Sequence, residues 1–112
     1  MLPRKRRLKK EFIGKILRQG KSIRGTGVSL RYLVGSGQPS VFGLIVSLKT
    51  AKQAAVRNKL KRRGRAIVSN LLPNMKEGYL TLIFLEKDSP EMAFNDLENE
   101  ITRLFKKARV LN

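Results

Sequence analysis

The stretch VFGLIVSLKTAKQAAVRNKLKRRGR, residues 41–65, changes its period halfway along and so decides the fold class. Its first part, residues 41–49, is apolar on both faces. Phe42, Leu44, Val46 and Leu48 point one way, and Val41, Gly43 and Ile45 the other. That pattern predicts a strand in the middle of a sheet, covered on both sides. The second part switches to spacings of three and four. A helix over residues 52–72, ending at Pro73 and Asn74, brings Val56, Leu60, Ile67 and Leu71 within about 60° of one another, a face that packs on a sheet. Beyond it GYLTLIFLEK, residues 78–87, reads as a second buried strand.

The flanks extend the pattern. Downstream, SPEMAFNDLENEITRLFKKARVL (residues 89–111) predicts a helix capped by Ser89, with Pro90 in the first turn and Glu91 complementing the dipole. Ala93, Leu97, Ile101, Leu104, Phe105 and Ala108 form its core stripe. Upstream, residues 9–19 predict a short amphipathic helix with Phe12, Ile13, Ile16 and Leu17 on one face and Gly20 as its stop. Residues 22–34 then read as strand, bent at Gly25 and Gly27, with Val28, Leu30 and Tyr32 alternating against Ser29 and Arg31. Residues 35–40, GSGQPS, read as a loop. The order α-β-β-β-α-β-α predicts a single α+β domain, two-layered, with helices on a small mixed sheet. It spans residues 1–112, and residues 1–8 are expected to form a mobile basic arm.

Composition narrows the function. The chain has no Cys and no His, which removes thiolate chemistry, the usual general base near neutral pH and the commonest zinc ligand. Asp96, Glu98 and Glu100 are dispersed along a helix, as solvated residues are, and Glu86 and Asp88 do not form a catalytic carboxylate pair. No apolar run approaches a membrane span. The net charge is +17, and it is unevenly placed. Residues 1–76 carry 20 basic residues against one acid, net +19, whereas residues 77–112 carry 5 against 7, net −2. Self-repulsion on that scale calls for a polyanionic partner, met by the first two-thirds of the chain.

The charge is densest in VRNKLKRRGR, residues 56–65, with six positive side chains and no acid. On a helix Arg57, Lys61 and Arg65 form one stripe. Asn58 and Arg62 lie beside it, completing a band about 140° wide and away from the apolar face. Like charges at i,i+4 cost a few tenths of a kcal/mol per pair, about 0.2–0.5. Solvated faces normally mix signs, so this band reads as a phosphate-binding surface, with Asn58 placed to read a base edge or sugar hydroxyl.

VRNKLKRRGR also resembles the arginine-asparagine signature, R-N-x-x-K-R-x-x-R, of the protein component of bacterial ribonuclease P. Arg57, Asn58, Lys61, Arg62 and Arg65 carry the match. RLKK (residues 7–10), Gly20, FGLIVSLK (residues 42–49) and ITRLFKKA (residues 101–108) fall in family order around it, so the resemblance covers nearly the whole chain. It implies a left-handed βαβ crossover shared with some ribosomal proteins. It further implies that the protein is not the catalyst but the cytoplasmic subunit of an endonuclease whose RNA, with Mg²⁺, removes the 5′ leader of precursor tRNA. The partners implied are that RNA and precursor tRNA, with no membrane and no obligate protein partner. Arg57, Asn58, Lys61, Arg62 and Arg65 would bind the RNA subunit. A cleft between the first helix and the sheet would take the single-stranded leader, with Phe12, Ile16, Arg31 and Tyr32 as its lining. Arg7, Lys9, Lys10, Lys49 and Lys52 would meet phosphates. A ribosomal or other structural RNA-binding protein of related fold is the alternative. A major-groove DNA reader is disfavoured, because strands flank the basic helix on both sides.

Overall fold

The computed structural model describes residues 2–35 and 39–111, so part of the 35–40 loop lies outside the described residues. The main elements are α1 (Ile13–Gln19), β1 (Lys21–Arg24), β2 (Val28–Val34), β3 (Val41–Val46), α2 (Ala54–Leu71), β4 (Tyr79–Leu85) and α3 (Phe94–Lys107). The four strands form one mixed sheet in the order β1-β2-β4-β3. β2 pairs antiparallel with both β1 and β4, and β3 runs parallel to β4. A parallel pair needs a crossover, and α2 supplies it.

Alternation along the strands sorts side chains onto two faces. On one, Val28, Leu30, Phe42, Val46, Ile83 and Leu85 join Leu60, Ile67 and Val68 of α2 and Leu97, Ile101, Leu104 and Phe105 of α3 in the main core. Phe42 and Phe105 stack with ring centroids 5.8 Å apart. Gly64 lets α2 approach β3 closely, because a Cβ there would stand 2.6 Å from Leu44 Cδ2. On the other face Ile16 of α1 is buried with Leu80 and Leu82, and Leu8, Phe12, Ile13, Val41, Ile45 and Phe84 pack around them. Two helices therefore cover one face fully, and α1 covers part of the second.

The structure corrects three expectations. β3 is an edge strand, and β4 is the interior one, buried at every position but Phe84. β3 nonetheless reads apolar on both faces because Leu8 and α1 shield its second face, while the chain before α1 runs along its open edge. Arg7 bridges to Phe42 in parallel fashion, and the Leu8 amide donates to the Phe42 carbonyl at 2.9 Å. β3 ends at Val46, so Leu48 does not share the core face and is 66% exposed. Finally, α3 starts at Phe94 with Ala93 exposed at its N-cap. Ser89–Glu91 form a separate 3₁₀ turn in which the Ser89 hydroxyl donates to the Glu86 carbonyl at 2.6 Å.

Residues 2–8, expected as a mobile arm, lie against the domain in the structure. Leu2 is buried in the main core, and Arg6 donates to Glu77 Oε1 at 2.8 Å and to the Ser40 carbonyl at 3.2 Å.

Candidate nucleic-acid interface

α2 buries Leu60, Gly64, Ile67 and Val68 and turns its opposite side outward. Asn58 and Arg62 are exposed on that side, and Lys61 and Arg65 are half-buried through their stems. The helix contains no acidic residue, and no salt bridge among the described residues engages it. Arg62 makes no hydrogen bond within the described protein. Arg63, on the flank, turns to the Met92 carbonyl at 3.5 Å. Arg57 differs from the rest of the signature. Its Nη1 donates to the carbonyls of Ala51 (2.9 Å) and Lys52 (2.7 Å), so it is partly engaged within the protein.

A second cationic surface lies on the other face of the sheet. A groove of about 550 Å³ has a floor of Phe12, Pro39, Val41 and Leu80 and a rim of Arg4, Lys5, Arg7, Lys9 and Lys15. A neighbouring cleft of about 300 Å³ wraps the edge of β3, lined by Arg7, Leu8, Lys10, Ile13, Gly43 and Leu82 among others, with Arg65 of α2 also at its wall. Arg65 thereby brings the signature helix next to the groove. An apolar floor within a cationic rim suits unpaired nucleotides, whose bases seek apolar or aromatic surface while their phosphates seek charge.

The residues expected to line a leader cleft are not brought together as a set. Phe12 lies on the groove floor. Arg31 is on the same face of the sheet, donating through Nη1 to the Leu17 carbonyl at the end of α1. Ile16 is completely buried beneath α1. Tyr32 faces the other way, buried beside Tyr79 with ring centroids 6.1 Å apart. Neither Ile16 nor Tyr32 lines the groove. Lys9 and Lys10 are exposed near α1, and Lys49 and Lys52 are exposed on the loop before α2. Arg4 and Lys5 belong to the basic N-terminal run already read as phosphate-contacting, whereas Lys15, Gly43 and Leu80 carry no such signal. The usable signal was the second face of β3 and β4, whose odd and even positions are both apolar.

Among the described residues no group of three or more acidic side chains is placed to hold a metal ion. No described helix is long and apolar enough to cross a membrane.

Fold and charge together define a class: a small basic α+β domain with two outward cationic surfaces, complementary to a polyanion. A family model described as Ribonuclease P matches residues 2–109. The ribonuclease P protein component of a Pseudanabaena species is 32% identical over 114 residues, covering 100% of this chain and 98% of the relative. That of a Synechococcus species is 35% identical over 116 residues, covering 99% and 87%. Among solved structures, the Staphylococcus aureus RNase P protein matches with a TM-score of 0.85 at 20% identity, covering 98% of this chain and 100% of that one. The Thermotoga maritima RNase P protein, in complex with 1-(4-fluorophenyl)-2-thiourea, matches with a TM-score of 0.78 at 23% identity, covering 86% and 92%. At such identities the structural matches establish the fold.

The chain belongs to the ribonuclease P protein family. It is the protein subunit of the endoribonuclease ribonuclease P, a ribonucleoprotein of tRNA processing.

Proposed function

We propose that the protein docks on ribonuclease P RNA through the outward side of α2 and receives the single-stranded 5′ leader of precursor tRNA in the groove beneath α1. The observation that carries this reading is the acid-free outward side of α2, where Asn58, Lys61, Arg62 and Arg65 have no ion-pair partner among the described residues. Leaving the three cations Lys61, Arg62 and Arg65 unneutralised costs stability by self-repulsion, and docked phosphate oxygens remove that cost while gaining charge-assisted hydrogen bonds. The leader assignment draws on the groove's chemistry: the Phe12 ring and Val41 for bases, Arg7, Lys9 and Lys15 for phosphates. Lys10, Lys49 and Lys52 extend the positive field to either side. In this reading the Mg²⁺ requirement belongs to the RNA, and the protein contributes charge neutralisation and substrate alignment.

The test is 5′ cleavage of precursor tRNA by ribonuclease P RNA at low Mg²⁺, with and without the protein. The expected result is faster cleavage with wild type, and a weaker gain with Arg62→Ala at equal protein concentration. No gain over the RNA alone would favour a structural RNA-binding role instead.

A further inference from the structure

We propose that Arg57, the first residue of the Arg-Asn signature, is a positioning residue: it clamps the loop between β3 and α2 so that Lys49 and Lys52 meet RNA as a fixed pair. This rests on the RNA-binding reading above.

The loop is fastened at two ends. At the sheet end, the Ser47 carbonyl accepts from the Thr50 and Ala51 amides at 3.1 and 3.2 Å, and the Thr50 hydroxyl donates to the Leu85 carbonyl of β4 at 3.2 Å. At the helix end, Ala51 is buried in the main core, and Arg57 Nη1 donates to the Ala51 and Lys52 carbonyls. Lys49 projects between the fastenings, and Lys52 carries one of the clamped carbonyls itself. Both lysines are exposed. Fixing them in advance spares the ordering cost that a free loop would bear on binding.

Helix energetics give no other reason for a cation here. Arg57 sits in the first turn of α2, where the helix dipole disfavours positive charge, and that turn contains no acid to offset it. Gln53, at the N-cap, makes no side-chain capping bond. What an arginine offers at this position is reach, with the two N–H groups of one terminal nitrogen donating to both carbonyls. Its Nε and Nη2 make no bond within the described protein. Arg62, five residues on, makes none within the described protein, so these two of the signature's three arginines do different work.

Two measurements test the clamp. First, hydrogen–deuterium exchange on the free protein: Arg57→Ala should speed exchange across residues 47–53 while β4 and α3 keep their protection. Second, affinity for ribonuclease P RNA as a function of salt, in a cycle of Arg57→Ala against the Lys49→Ala/Lys52→Ala pair. A simple phosphate contact lowers the magnitude of the log–log salt slope by about 0.7–0.9. The clamp predicts a larger drop for Arg57→Ala, and at most a small further loss of affinity once both lysines are gone. Unchanged exchange in residues 47–53, or losses that multiply in full, would overturn it. If wild type fails to bind the RNA, the RNA-binding reading itself falls, and exchange in the free protein tells that failure apart from failure of the clamp.

Discussion

Arg31 and Tyr32 are adjacent and face opposite sides of β2. Arg31 lies on the α1 side and Tyr32 in the core beside Tyr79. The alternation of Val28, Leu30 and Tyr32 against Ser29 and Arg31 was legible in the sequence, and it places Tyr32 with the core. Assigning both neighbours to one cleft contradicted that parity, and the structure keeps the parity. Tyr32→Ala should therefore lower stability by about 3 kcal/mol, the scale for deleting a buried ring. Its leader preference, measured as the affinity ratio for precursor over mature tRNA in the folded protein, should stay unchanged. A lost preference with unchanged stability would put the ring in the groove. The outward side of α2 was legible for the same reason parity is: helical phase alone separates Asn58 and Arg62 from Leu60 and Ile67. The inward turn of Arg57 was not, because its partners are backbone carbonyls of a loop whose path no side-chain pattern encodes.

Among the elements, helix and strand identities followed from periodicity, whereas sheet order did not. β3 looked central because both of its faces are apolar, yet sequence pattern reports only that a face is covered, not whether another strand lies alongside. The cover comes from residues more than thirty positions earlier, Arg7 and Leu8. α3 illustrates a different limit. Ser89 and Pro90 are good helix-start residues, but they serve a 3₁₀ turn, and α3 begins at Phe94. Besides its core stripe, α3 is tied to the β1–β2 turn through Glu100. Arg103 grips the carboxylate through Nε and Nη2 at 2.8 and 2.9 Å, and the Thr26 amide in the β1–β2 turn donates to it as well. Arg103 foremost holds the Glu100 carboxyl down to about 2, from its usual 4.5, against the opposing effect of burial. A depressed carboxylate stabilises the fold fully above pH 4.5, and that contribution is lost as pH falls toward 2. Glu100→Gln should cost about 1–2 kcal/mol at neutral pH, allowing for solvent screening, and should flatten the stability curve between those two pH values. Chemical denaturation across that range checks it, and an unaltered acid limb would contradict it.

For the whole molecule, charge is segregated. Residues 1–76 carry the excess of +19, and 11 of their 20 basic residues lie on α2 or at the rim beneath α1, while residues 77–112 carry the near-neutral remainder. Arg65 stands where the two meet, at the edge of β3. The central claim is that the α2 surface docks on ribonuclease P RNA by neutralising phosphates. Its most direct test is the dissociation constant for that RNA measured across a salt series. About five neutralised phosphates give a log–log slope near −3.5 to −4.5, and Lys61→Ala/Arg62→Ala should reduce its magnitude by about 1.5 with the fold intact. A wild-type slope near zero, or a slope that the double substitution leaves unchanged, would contradict the account.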